Sequence, residues 1–246
     1  MSYPDTIPVS TPPQFRLRAG CDVELLDSLG DDATLAAYAR TSSGTSTETT
    51  PERDSRLLRS LVDGRHGSVL ELSTLVFRCS WPIFVQREVV RHRVGVSLTE
   101  QSGRYQELQP VFWVPQPNRP IRATGSPMRP TFEPDYDVAK VAQDELHATY
   151  QVAWYGYQKM LKANVPTEVA RAALPVGVYT NLRLQMNLRS LLHFLSLRSA
   201  YQEGVTSTRS HPQHEIAEAA AKMENAAWKL FPVTMRHWND LGRTSV

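Results

Sequence analysis

Cysteine is nearly absent from this 246-residue chain. Its two cysteines, Cys21 and Cys79, are too few for a disulfide framework and form no C-x-x-C, so a cysteine-based zinc site is excluded. A reduced, cytoplasmic setting is the expectation. Long apolar runs are missing as well. None approaches the roughly 18 residues that a membrane span needs, and the N-terminus lacks the apolar stretch of a signal peptide. Charge of one sign is not in excess either. A formal net charge of +2 makes no general basic field, so no nucleic-acid partner is expected and any anion site must be local. The chain also lacks a G-x-G-x-x-G fingerprint and a P-loop, the two familiar glycine-rich phosphate cradles.

What is present is ordinary soluble composition, 41% apolar and 21% charged, in a length that suits one large domain or two small ones. Pro4, Pro8, Pro12 and Pro13 mark residues 1–20 as an extended arm, leaving 21–246 as a single domain. Cys21–Leu26 and Thr74–Ser80 predict strands. Asp31–Arg40 predicts a helix capped by Asp31 or Asp32. Thr50 caps a second helix with Pro51 at its first position and Leu57, Leu58, Leu61 and Val62 facing inward. Pro82 opens a helix that runs into Arg91, with Ile83, Phe84 and Val90 partly buried. Gln109–Pro134, with seven prolines, reads as a long loop. Long helices are predicted over Asp137–Lys162, with Val138, Val141, Leu146, Tyr150, Trp154 and Met160 near one stripe, and over Asn181–Ser199. Gln213–Leu230 is the final, alanine-rich helix. Thr41–Thr50 and Tyr201–Ser210 read as loops. Strands scattered among helices predict a mixed α/β (α+β) fold, helices around a small central sheet, and not a Rossmann sheet.

The densest chemistry lies in Arg91-His92-Arg93-Val94-Gly95-Val96-Ser97-Leu98-Thr99-Glu100-Gln101-Ser102-Gly103-Arg104-Tyr105. Arginine forks match a phosphate or a pyrimidine edge, and glycine lets backbone N–H groups approach an anion. Arg87 and Arg91, four apart, share a helical face. On most helices that is a solvated basic face paired with Glu88, but here it runs straight into His92 and Arg93. Four further segments stand out. The histidine of His66-Gly67-Ser68-Val69-Leu70-Glu71 alone would read as a structural or surface residue. Val165-Pro166-Thr167-Glu168-Val169-Ala170-Arg171, followed by Leu174-Pro175, alone would be a helix with a surface arginine. Asn187, Leu191, Phe194 and Arg198 share one helical face, with Arg189 and His193 on the next, in a helix rich enough in leucine for its polar residues to border a buried cleft. His211-Pro212-Gln213-His214-Glu215 invites a metal reading, but its histidines are three apart and lack the H-E-x-x-H spacing, so no metal is assigned.

These five motifs, in this order, resemble the flavin-dependent thymidylate synthases. That family carries Arg-His-Arg, a seven-residue spacer, then Ser, usually with a Gly-Arg-Tyr-like tail. Here the spacer Val94–Gln101 is eight residues long. Leu72 stands where the family usually has His, Thr99 where Asn is common, and His193 where Asn is frequent. The stretch Ser199–Ser210 is extended. The length changes resemble a branch that methylates UMP as well as dUMP in polyoxin-type nucleoside antibiotic pathways.

The resemblance implies C5-methylation of a uracil nucleotide, dUMP or UMP, with FAD as cofactor and NADPH and methylenetetrahydrofolate as co-substrates. The Pro-Cys nucleophile of the other thymidylate synthase is absent, so the flavin carries the hard chemistry. By the same resemblance the residues that carry the reaction are Arg198, Ser102 and Glu100, with Arg198 polarising the ring and Ser102 binding. Arg87, Glu88, Gln101, Ser102, Gly103, Arg104, Arg171 and Arg198 hold the nucleotide. His66, Ser68, Glu71, Arg91, His92, Arg93, Glu100, Asn187, Arg189, His193 and His211 hold the flavin. Self-association into a homotetramer with shared sites is implied too. A non-catalytic nucleotide-binding module, a metal hydrolase using His211, His214 and Glu215, and a related flavoprotein transferring another group are the alternatives. Flavin colour and metal content separate the first two from the main reading.

Overall fold

The computed structural model describes residues 14–42, 44, 50–126, 129–200, 205–206 and 210–246. Most of the predicted arm (1–13), most of the Ser/Thr-rich loop (43, 45–49) and most of the segment before His211 (201–204, 207–209) lie outside the described residues. In chain order the elements begin with β1 (Arg16–Arg18), β2 (Asp22–Leu29), α1 (Asp32–Thr41), α2 (Pro51–Asp63), β3 (Thr74–Pro82), α3 (Ile83–Val89) and β4 (Val96–Glu100). There follow β5 (Val111–Trp113), β6 (Pro120–Ser126), β7 (Arg129–Pro134), α4 (Tyr136–Lys162) and α5 (Thr167–Ala170). The chain finishes with β8 (Tyr179–Met186), α6 (Leu188–Arg198), α7 (His214–Leu230) and α8 (Pro232–Asp240). This is the expected mixed α/β class, many helices with small sheets.

The chain divides into two compact units, 1–20 with 101–180, and 21–100 with 181–246. The second holds the four-stranded sheet, in order β2-β3-β8-β4. Strand alternation builds its buried face: Leu75, Phe77, Cys79 and Trp81 on β3, and Leu182, Leu184 and Met186 on β8. Those side chains share one core with Leu188, Leu191, Leu192 and Leu195 of α6 and with Ile216, Ala219, Ala220 and Met223 of α7. Alanine suits α7 because small side chains let the helix pack closely. The predicted caps are present. Asp31 accepts from the Thr34 N–H at 2.7 Å and Thr50 from that of Arg53 at 3.4 Å, with Pro51 opening α2. Asp32 turns instead to α8, accepting from the backbone of Val233 and Thr234.

In the first unit β1 pairs parallel with β5, and β6 with β7 antiparallel. The inner face of α4 is aromatic: Tyr150, Trp154 and Tyr157 are buried, and Phe112 stacks on Tyr150 at 4.7 Å between centroids.

Several expectations need correction. Asn181–Ser199 is not one helix, because Tyr179–Met186 is a strand and only Leu188–Arg198 is helical. Gln109–Pro134 is not a loop but contains β5, β6 and β7. Its prolines are tolerated because β6 and β7 form a sheet of only two strands, where both are edges. Helix α3 ends at Val89, short of Arg91. Val90 is exposed, while Val85, Gln86 and Val89 are buried. On α4, Val141 points to water, and α7 is followed by α8. Among the described residues no helix is long and apolar enough to cross a membrane.

Candidate active site

Arg198 closes α6 and lies about one-quarter exposed. Its Nη1 donates to Glu88 Oε2 at 2.9 Å, and its Nε donates to His92 Nε2 at 3.1 Å. Nη2 has no partner among the described residues. Glu88 comes from the last turn of α3, and His92 from the turn just beyond it, which is tied back by N–H bonds from Arg91 to Glu88 and from His92 to Val89. The short helix α3 therefore delivers both groups to one guanidinium. Burial raises the Glu88 carboxyl above its ordinary value. Arg198 opposes the shift, and buried Glu215 at the start of α7 reinforces it. His92 is driven down to about 4, by burial first and then by the charge of Arg198 and by His193. A neutral imidazole accepting from an arginine is consistent with both. The rings of Phe194 and His193 stand 4.9 and 5.9 Å from His92.

A second cluster of the same unit joins Glu71 to Arg189 at 2.5 Å. A Cβ at buried Gly67 would fall 2.5 Å from Arg189 Nε, so the glycine is what lets that side chain cross the His66–Glu71 segment. Arg189 Nε also donates to the backbone oxygen of Val246 at 2.9 Å, and His193 Nδ1 lies 3.0 Å from Ser245 Oγ. His66 and Ser68 are exposed beside this pair. Asn187 is the N-cap of α6, accepting from the Ser190 N–H at 2.8 Å. Gly95, at φ +64°, fits so tightly there that a Cβ would lie 2.3 Å from Ser190 Oγ and 2.5 Å from Asn187 Nδ2. The tail residues 243–246 and Glu224 are what the sequence reading missed: they carry no periodic or motif signal.

The first unit gathers a third set. Ser102 Oγ accepts from the Arg104 N–H at 3.3 Å. Gly103 is buried, and a Cβ there would meet Arg171 Cδ at 3.3 Å. Arg104 pairs with Glu168 at 3.2 Å with both side chains about half exposed. Thr167 Oγ1 donates to the Arg104 carbonyl. The Ser-Gly-Arg turn and the Pro166–Arg171 segment, far apart in sequence, thus meet, Arg104 at Glu168 and Gly103 at the Arg171 stem. Arg171 is exposed and has no ion pair among the described residues.

The remaining candidates are not drawn into these contacts. Arg87, Arg91 and Arg93 are exposed without an ion pair among the described residues, and His211 is exposed ahead of α7. Glu100 is the exposed last residue of β4, opposite Leu182, and Gln101 follows it half-buried. No group of three His, Cys, Asp or Glu among the described residues is placed to hold a metal. Cys21 and Cys79 are buried, and no disulfide joins them. Burial pushes the Cys79 thiol up to about 12, which leaves no thiolate for attack.

Residues 24–233 match the family described as thymidylate synthase complementing protein. A flavin-dependent thymidylate synthase of Streptomyces coelicolor is 39% identical over 239 residues, 95% of this chain and 96% of that protein. One of Streptomyces avermitilis is 42% identical over 196 residues, 79% of each. Among solved structures, the UMP/dUMP methylase PolB from Streptomyces cacaoi bound with 5-Br UMP superposes with a TM-score of 0.87 at 36% identity, covering 95% of this chain and all of that one. The same methylase with 5-Br dUMP superposes equally well, at 35% identity. The chain belongs to the flavin-dependent thymidylate synthase family.

Proposed function

We propose that this protein methylates C5 of a uracil nucleotide, with FAD bound, methylenetetrahydrofolate as one-carbon donor and NADPH as reductant. The observation that carries the reading is the Arg198–Glu88–His92 arrangement. C5 of uracil is a poor nucleophile, and making it one builds enolate-like negative charge on the carbonyl edge of the ring. A guanidinium held on two sides and one-quarter exposed is already oriented, so it stabilises that charge without reorganising. Nη2 remains to donate to a carbonyl oxygen of the ring. Neutral His92 adds no competing positive charge beside it. Arg104 and Arg171, flanking Gly103, suit a phosphate, with the Ser102–Gly103 backbone beside them. Ser102 binds rather than attacks: its oxygen accepts the Arg104 N–H, and the contacts seen at it include no general base.

The residues fit a flavin. Arg91 and Arg93, exposed and without an ion pair among the described residues, would supply cationic donors for a diphosphate, with Arg87 kept for the nucleotide, and the tight approach at Gly67 and Gly95 sets Glu71, Arg189 and the start of α6 in order. His66, Ser68, Glu100, Asn187, His193 and His211 complete the proposed flavin contacts, and Gln101 is assigned to the nucleotide. When bound, FAD supplies the redox chemistry that completes the methyl group. Anaerobic titration with FAD, followed by its absorbance bands, tests this. Saturable uptake is expected, and a protein that stays colourless ends the flavoenzyme reading.

UMP is proposed as a substrate beside dUMP. The eight-residue spacer Val94–Gln101 and the extra length of Ser199–Ser210 in the sequence favour a site that accepts a 2′-hydroxyl, and PolB, described as a UMP/dUMP methylase, supports this at 36% identity. A deoxyribose site that rejects the hydroxyl does so at about 1–3 kcal/mol. Parallel kcat/KM values decide: both nucleotides should turn over, and dUMP alone would make the length changes neutral. We also propose a homotetramer, which sedimentation analysis tests.

A further inference from the structure

The Arg198 head group is held by Glu88 and His92, but the backbone that carries it is held by something else. Helix α6 stops without a glycine. Ser199 turns extended (φ −73°, ψ 149°), its N–H still bonded to Leu195. Its hydroxyl donates to Glu224 Oε2 at 3.3 Å, and Arg243 Nη2 donates to the Ser199 hydroxyl oxygen at 3.4 Å. Arg243 forms an ion pair with Glu224, the two side chains only 4% and 16% exposed. The guanidinium stacks 4.8 Å over the Trp238 ring, Trp238 Nε1 donates to the Thr244 carbonyl at 2.7 Å, and Trp228 Nε1 reaches Glu224 Oε1 at 3.4 Å. Ser210, at the far end of the following segment, donates to the Leu197 carbonyl.

This cluster is expensive to build. A buried ion pair loses much of its gain to desolvation, and an apolar set of the same volume would stabilise the core at least as well. Arg243 Nε is buried with no partner among the described residues, and Arg243 sits at φ 55°, where non-glycine residues are strained. Directional bonds give what apolar packing does not, a fixed exit for one chain segment. The segment fixed begins one residue after Arg198. Resting on the assignment of Arg198 to the uracil ring, we propose that Glu224 and Arg243 are positioning residues: through Ser199 they set the end of α6 and so the direction of the Arg198 guanidinium.

The readout is His92. The groups facing it are Arg198 and His193 of α6, with Glu88 of α3 and Glu215 of α7 close by. If the brace fails, Arg198 drifts from His92, and the imidazole protonates more easily. Ring-signal NMR titration is run on the full chain with Arg243→Met, Glu224→Gln and Ser199→Ala, alongside equilibrium binding of dUMP. The His92 midpoint should rise by about one unit in the first two and by less in Ser199→Ala. Affinity for dUMP should fall about tenfold, and Arg243→Lys should restore part of both. Ser199→Ala leaves the ion pair in place, so it decides the matter should Arg243→Met not fold. A His92 midpoint and dUMP affinity unchanged in folded Glu224→Gln and Ser199→Ala would overturn the proposal. The titration needs no turnover, so it stands apart from the methylation assay: wild type without methylase activity would overturn the function and leave the brace testable.

Discussion

Arg198 carries most of the chemical argument, and its neighbours set its worth. In water a guanidinium gains little from one carboxylate. Here Glu88 is half-buried enough to be raised above its ordinary value, so the pair is only partly screened. Arg198→Ala should cut kcat/KM for the nucleotide by about 30-fold or more, equivalent to ~2 kcal/mol or above, with the circular dichroism spectrum unchanged. Near-normal turnover would remove Arg198 from the reaction. His92 makes a second prediction. Its folded value of about 4 lies below the 6.5 of a free imidazole, so the unfolded chain takes up the proton first. The stabilisation is therefore complete above pH 6.5 and is lost progressively as the pH falls toward 4. His237, also lowered by burial, acts in the same direction. Urea denaturation between pH 4 and 7 should lose stability on acidification, and His92→Gln should make that slope shallower. An unchanged slope would mean that His92 is not held neutral.

At the scale of elements, one turn brings sequence-distant residues together. Gly95 meets the first turn of α6, and its positive φ and contacts below 3 Å leave no room for a methyl group. Gly95→Ala should cost about 1–3 kcal/mol in denaturant unfolding and weaken FAD uptake with it. A variant as stable as wild type would show that the turn relaxes freely. The sequence is legible here in part. Asp31, Thr50 and Pro51 announce their helices because caps act locally. The strand Tyr179–Met186 does not announce itself, although buried Leu182, Leu184 and Met186 alternate with Asn181, Arg183 and Gln185. Leucines at 184, 188, 191, 192 and 195 also fit a helical stripe, and only the cap at Asn187 separates the two periods. The strands within Gln109–Pro134 stay hidden for another reason. Proline removes donors, yet in a two-stranded sheet half the donors face away from the partner.

Across the whole molecule, only some of the residues picked out by motif order fall into three contact sets: Glu88, His92 and Arg198; Glu71, Gly67 and Arg189; and Ser102, Gly103, Arg104 and Arg171. Motif order carries these because each needs a particular residue type at one place. Glu224, Arg243 and the tail residues that bond Arg189 and His193 are illegible in sequence, since nothing about an alanine-rich helix or a polar tail predicts which helix end it will meet. All of these sets serve one claim, methylation of a uracil ring without a protein thiol, and a single experiment bears on it most directly. Purified protein is incubated with FAD, NADPH, methylenetetrahydrofolate and dUMP or UMP, and the nucleotide is analysed by mass and NMR. A 5-methyl nucleotide is expected, its formation requiring every component and surviving Cys79→Ala. Nucleotide recovered unchanged from flavin-loaded protein, or product lost with Cys79→Ala in a folded variant, would contradict it.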